Sequence, residues 1–161
     1  NYKEEFNQIL NHQKVPEDPT KYINITSKLI PEDSPDNHEN WFVMINTPPD
    51  NNQDWSAFIP RIKELLMKKI NHKLGIDLAD KIVFEKYTTP KDIQTITGAF
   101  RGSLYGKNSN QTMNAFLRPK NKHSKIKNLY LAGGTVHPGG GMPLALLSAR
   151  FATEKIIYDS N

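Results

Sequence analysis

Apolar residues along this chain follow three patterns, and each pattern predicts a different element. Trp55, Phe58, Ile59, Ile62, Leu65, Leu66 and Ile70 fall three or four positions apart, with lysines and Glu64 opposite, which predicts an amphipathic helix. Asp54 stands where an N-cap belongs and Gly75 where a C-cap belongs. Pro60 conflicts with so early a start, so the helix either begins nearer Phe58 or kinks at the proline. Tyr22 to Ser27 alternates with period two and predicts a strand with Ile23 and Ile25 on one face. Trp41 to Ile45 is continuously apolar, the pattern of a central strand covered on both faces. Lys81 to Tyr87 predicts a third strand. A short helix over Tyr2 to Asn11 ends before Pro16 and Pro19, and Thr88-Thr-Pro-Lys-Asp starts a short helix or a turn. Residues 28–40 and 47–52 are polar breaks, and Phe100 to Ser109 is a glycine-containing loop.

The last forty residues change character. Arg118 to Lys127 is a basic connector, Leu129 to Ala132 reads as a short buried strand, and a turn with five glycines between 133 and 141 follows. A helix then opens with Pro143 in its first turn, where a missing N–H costs nothing. From Met142 to Ala152 it is apolar nearly all round, which predicts burial. Strand, glycine turn and helix start would bring bare backbone N–H groups and a positive dipole end to one point, a site for an electron-rich ligand. The competing reading is a tight turn whose glycines serve backbone geometry alone.

Composition narrows the class. With 37% hydrophobic and 24% charged residues the 161-residue chain is of the globular type, and its net charge of +4 permits weak attraction to anionic lipid without requiring it. Absence of cysteine removes disulfides and thiolate metal sites and favours a cytoplasmic setting. No apolar run reaches the length of a membrane span. The opening Asn1-Tyr-Lys-Glu-Glu-Phe is neither a signal peptide nor an initiator start, so the chain is expected to be a piece of something longer. The composition break divides it into residues 1–112 and residues 113–161, parts of two domains.

Candidate chemistry is sparse. The glycine turn lacks the Gly-Lys-Ser/Thr ending of a phosphate loop and fails Gly-x-Gly-x-x-Gly spacing. None of the five histidines is spaced for a metal, so no metal site is assigned. His137, inside the turn, could contact a ligand or merely hold the loop. Ser103, Ser109 and Ser148 lack a nucleophile elbow. Lysines 120, 122, 125 and 127 are not interleaved with aromatic residues, which argues against nucleic acid and leaves a solvated or lipid-facing surface. The sequons at Asn24 and Asn110 carry no weight in a cytoplasmic protein.

Leu129-Tyr-Leu-Ala-Gly-Gly-Thr-Val-His-Pro-Gly-Gly-Gly-Met-Pro-Leu-Ala-Leu-Leu-Ser-Ala149 resembles the C-terminal signature of the bacterial phytoene-desaturase family, whose kin include diapocarotenoid desaturases and oxygenases. Tyr22-Ile-Asn-Ile-Thr-Ser-Lys, His38-Glu-Asn-Trp-Phe-Val, Pro48-Pro-Asp with Asp54-Trp, Gly75-Ile-Asp-Leu and Phe100-Arg-Gly-Ser-Leu-Tyr-Gly resemble further family segments in family order. The resemblance implies an α+β, α/β-like fragment of a two-domain FAD-dependent fold of amine-oxidase and phytoene-desaturase type. It would contribute a mixed sheet with helices to the substrate domain, and the C-terminal strand and helix to the FAD domain. The N-terminal dinucleotide fingerprint is missing, so half of the FAD site is expected elsewhere and the isolated chain is expected to bind FAD weakly or not at all.

Carried over, Gly133, Gly134 and Thr135 would lie against the flavin or its ribityl–pyrophosphate arm, with His137 beside them. Gly140, Gly141, Met142 and Pro143 would present the helix start to the isoalloxazine ring. Arg101, Gly102 and Tyr105 would border the polyene channel, and no catalytic side chain is assigned. The implied function is FAD-dependent desaturation of a carotenoid such as phytoene or diapophytoene. Terminal-methyl oxygenation of a diapocarotenoid, a saturase or isomerase reaction at the same flavin site, or a non-enzymatic polyene- or lipid-binding module are the alternatives. Attachment to the inner face of the cell membrane is compatible with such a substrate.

Overall fold

A computed structural model describes residues 1–105 and 118–160, and the chain divides into two compact units, Asn1–Thr88 and Thr89–Asn161. The division read from composition, at 112/113, lies outside the described residues, as do the Asn110 sequon, Ser109 and Gly106.

In the first unit, helix α1 (Tyr2–Leu10) opens on the Asn1 side chain and buries Glu5 and Ile9. Strands β1 (Lys21–Asn24) and β2 (Phe42–Ile45) pair antiparallel with Lys21 opposite Ile45 and Asn24 opposite Phe42. Helix α2 (Trp55–Leu74) is the element the sequence described best. Asp54 caps it by accepting from the N–H groups of Ser56 and Ala57, and Gly75 ends it in the left-handed region at φ 67°. The helix begins at Trp55 and passes through Pro60, so the start nearer Phe58 does not hold. Its expected apolar face is the covered one, with Trp55 and Ile70 buried at its ends. The indole Nε1 of Trp55 donates to the buried Asp50 at 2.8 Å.

Two expectations fail here. Residues 81–87 do not form a strand: a single 3-10 turn (Ala79–Lys81) gives way to irregular chain, with Val83 and Phe84 80% and 83% exposed. An extended segment becomes a strand only where a neighbour accepts its ladder hydrogen bonds, and among the described residues none does. For the same reason β2 is not covered on both faces. Among the described residues the pair β1–β2 is a two-stranded sheet with no further strand on either edge, and Phe42, Val43 and Met44 are exposed. The mixed sheet of the sequence reading is represented, among the described residues, by this one pair.

The first unit is held as much by polar anchors as by apolar core. The Glu5 carboxylate accepts from the Thr20 N–H at 3.0 Å, from the Thr20 hydroxyl, and from Asn46 Nδ2 at 3.1 Å. Burial pushes its pKa up, but these hydrogen bonds, with Lys21 nearby, outweigh burial and leave it below the ordinary glutamate value. A carboxyl whose pKa is depressed on folding contributes stability above its unfolded pKa and loses it as pH falls through the folded value. Glu5→Gln should therefore cost about 1–2 kcal/mol near neutrality, and the deficit should shrink as pH drops through the carboxylate range. Paired urea titrations at neutral and acidic pH check this; an unchanged deficit would refute the assignment. Nearby, Lys69 and Lys21 hold the exposed Asp18 carboxyl down to about 2.

In the second unit, helix α3 (Pro90–Thr97) starts with a capping box, Thr89 and Asp92 each accepting from the other's backbone N–H. A 3-10 turn (Phe100–Gly102) follows, with Arg101 at φ 54°. Residues 118–141 run as turns, and helix α4 (Met142–Ser160) completes the unit. Leu129 to Ala132 is not a strand; its only pairing among the described residues is the isolated antiparallel bridge of Lys122 with Tyr130. Nor is α4 buried all round. Its covered stripe consists of Ser148 and Ala152, with Ala145 half-buried, whereas Met142 and Leu146 are 83% and 73% exposed. Leu147 and Phe151 are half-buried like Ala145, and Phe151 meets the turn by stacking on His137, while Met142 and Leu146 project outward.

Candidate functional site

The glycine turn is built around two buried polar side chains, Asn121 (3% exposed) and Ser148 (0%). Asn121 accepts the Leu131 N–H on its backbone carbonyl at 2.8 Å, which aligns the basic connector with the segment entering the turn. Its Nδ2 lies 3.2 Å from Leu131 O, 3.0 Å from His137 O, 3.2 Å from Ser148 O and 2.9 Å from Ser148 Oγ. Three of these partners are carbonyls, which only accept, so the amide nitrogen must face them. The Ser148 hydroxyl also accepts the Gly133 N–H at 3.2 Å. The His137 N–H donates to Pro119 O at 3.0 Å, and the His137–Pro138 peptide is cis.

Arg118 is the second clamp. Its buried guanidinium donates through Nη1 to Tyr105 O at 3.0 Å and to Gly134 O at 3.1 Å. The guanidinium also lies against Gly139, where an added Cβ would sit 3.4 Å from Arg118 Nε. The Tyr105 ring covers Gly140 so closely that a Cβ there would come within 2.5 Å of Cδ1. Glycine at 140 is thus a condition for the aromatic contact.

The predicted residues separate into groups. Gly134, Gly140 and Tyr105 come together, so one residue of the expected channel set meets the expected cofactor set. Gly133 and Gly141 have nothing within 4 Å of an added Cβ, which leaves the space beside each Cα open to an approaching group. Thr135 is exposed; Met142 and Pro143 form the exposed helix start. His137 is held: its ring stacks on Phe151 at 5.9 Å between centroids and 17° between planes, and its N–H and C=O are both engaged. The loop-holding role is the one the geometry displays. Arg101 and Gly102 belong instead to the α3 corner. The Arg101 N–H donates to Gln94 Oε1 at 2.6 Å, and Gly102 packs against Pro90.

Sequence reasoning missed Asn121 and Arg118, which it counted as parts of a solvated basic run, and it weighed Ser148 only as a nucleophile. The one available signal was a serine inside an otherwise apolar helix stretch, a residue type that helix interiors do not favour. Farther along α4, Asp159 accepts from Lys122 Nζ at 2.8 Å and from the Tyr130 hydroxyl, tying the helix end to the Lys122–Tyr130 bridge. These two donors, Lys122 first, hold the Asp159 carboxyl below its ordinary range.

An open backbone cradle at a helix start is what an electron-rich planar ligand requires. The first-turn N–H groups of a helix have no intrahelical acceptor, and the dipole end is positive there. Among the described residues no helix is long and apolar enough to cross a membrane, and no group of three His, Asp or Glu side chains could hold a metal.

No family model matches the chain. It is 49% identical over 97% of its length to a 1-hydroxycarotenoid 3,4-desaturase of Flavobacterium sp. (strain P99-3). Related parts of a 4,4'-diaponeurosporene oxygenase of Staphylococcus haemolyticus (strain JCSC1435) and a 4,4'-diapolycopene oxygenase of Methylomonas sp are 34% and 32% identical. Those matches cover 97% and 98% of the chain. The chain is homologous to a segment of carotenoid desaturases and oxygenases. It spans about a third of the length of these curated relatives, namely 32%, 30% and 32%. The resemblance to carotenoid desaturases and oxygenases stated from the signature residues is therefore met. Among these relatives the desaturase shares more residues with the chain than the oxygenases do.

Proposed function

We propose that this chain is the C-terminal part of an FAD-dependent carotenoid desaturase, and that its glycine turn and α4 start line one side of the flavin site. The observation that carries the reading is the cradle itself: Gly133 and Gly141 stand open where side chains would otherwise intrude, directly before the first turn of α4. Identity of 49% to a desaturase, against 34% and 32% to oxygenases, favours desaturation over terminal-methyl oxygenation.

When bound, a flavin would accept a hydride from one carbon of the polyene while the adjacent carbon loses a proton. The chain's own part is binding and orientation. N–H groups at the start of α4, together with its dipole, would favour negative charge on a ring held against them. Gly134 and Gly140 keep the turn thin, and the Tyr105 ring walls it on one side. Arg118 holds Tyr105 and Gly134 in one arrangement, so the channel-side loop and the cofactor-side turn are fixed together. The reading includes peripheral attachment to the inner face of the cell membrane, where a polyene resides. The exposed Lys120, Lys125 and Lys127 would add about 1 kcal/mol each near an anionic surface.

The test uses the full-length polypeptide. It should purify yellow with FAD bound one to one, and should convert an acyclic or 1-hydroxylated carotenoid to a product lighter by two hydrogens and absorbing at longer wavelength. A product that has gained oxygen at a terminal methyl would transfer the assignment to the oxygenases. A colourless protein that neither binds FAD nor alters a carotenoid would overturn the enzyme reading.

A further inference from the structure

We propose that Asn121 and Ser148 act as a positioning pair that locks the glycine turn onto the second turn of α4, and so sets the angle at which the helix start meets the cofactor. The functional half of this proposal rests on the flavin reading above; the locking half stands on the chain alone.

The pair joins three stretches that nothing else brings to one atom: the entry segment through Leu131 O, the middle of the turn through His137 O, and the helix through Ser148 O and Oγ. Two hydrogens on one nitrogen serve all of these, so the contacts are shared and each depends on the others. Asparagine suits the position by charge and reach. Aspartate would set an anion against three carbonyls, and leucine would leave those carbonyls without their donor.

Ser148 completes the lock from the helix side. Its hydroxyl receives Asn121 Nδ2 and the Gly133 N–H, so the first glycine of the turn is anchored to the helix two turns from its start. That hydrogen bond also revises the part Gly133 can play. Its N–H is used inside the protein, so its contribution to a ligand is the open space beside its Cα. The ligand-facing donors are then those of the helix start, whose orientation follows from how α4 is tied to the turn. Ser148 is fully buried, with its hydroxyl engaged by Asn121 Nδ2 and the Gly133 N–H, a setting for a tie and not for a nucleophile.

The experiment compares the full-length wild type with S148A, S148C and N121L by amide hydrogen exchange and by FAD titration. S148A should speed exchange in peptides covering residues 129–141 about 10-fold and raise the FAD dissociation constant by a similar factor, the loss expected for one buried hydrogen bond. Peptides within residues 1–88 should keep their wild-type rates. S148C, of similar size with a weak acceptor, should recover part of both effects, and N121L/S148A should be no worse than N121L because the two residues act as one unit. Wild-type exchange and FAD affinity in S148A and N121L would overturn the proposal, as would exchange raised uniformly along the whole chain. Should S148A not accumulate folded, S148C decides by the same criteria. If the wild type takes up no FAD, the flavin reading fails by itself, and the exchange arm still decides whether the pair locks the turn.

Discussion

Gly102→Ala is expected to destabilise the second unit by about 3–4 kcal/mol, among the largest effects of any single methyl in this chain. Two causes act together. Gly102 sits at φ +74°, a region that costs a non-glycine residue about 1–2 kcal/mol. Its Cβ would also lie 2.6 Å from Pro90 Cα and 2.7 Å from Pro90 C, and closer still to the Pro90 carbonyl oxygen. These are backbone atoms at the first turn of α3, so relief requires moving the helix and not a side chain. Gly98 provides the control. It has nearly the same φ, +71°, but nothing within 4 Å of an added Cβ, so Gly98→Ala should show the conformational cost alone, about 1–2 kcal/mol. Thermal and urea unfolding of both variants checks the pair; equal losses would mean that the Pro90 contact is not rigid.

Trp55→Ala should cost the first unit about 4 kcal/mol, within the range for emptying a large aromatic site. Trp55 is 7% exposed, lies 6.2 Å from the Phe58 ring, and donates its indole N–H to the buried Asp50. Trp55→Phe keeps most of the ring and removes the donor, so its loss should be about 1–2 kcal/mol. Urea midpoints measured for the two variants separate packing from hydrogen bonding. Equal losses would show that the Asp50 contact dominates, and a negligible loss in Trp55→Ala would show that this end of α2 is not the anchor of the unit.

Local signals were legible wherever one element satisfied its own requirements. Asp54 and Gly75 cap α2 because capping is decided within four residues, and the apolar face of α2 is covered because its period is complete. The resemblance carried by residues 129–149 was legible for another reason: the run of glycines with its Thr135-Val-His-Pro-Gly-Gly-Gly141 core is a specific pattern. What failed were the statements about cover. The run 42–45, the segment 81–87 and the apolar sides of α4 all announce surfaces that favour burial, and the sequence cannot say what lies against them. The chain spans about a third of its relatives' length, so part of that cover is expected from residues outside it.

The candidate site divides in the same way. Sequence alone determined that a glycine turn opens a helix at Met142 and which family the run around it resembles. Only the tertiary structure decided that Asn121, Arg118 and Ser148 hold that turn, that Tyr105 lies on Gly140 while Arg101 and Gly102 do not join it, and that His137 stacks on Phe151. The reason is physical. Backbone freedom and helix starts are written in neighbouring residues, whereas a buried amide is recognisable only by the carbonyls that converge on it, and those of Leu131, His137 and Ser148 arrive from 10, 16 and 27 positions away.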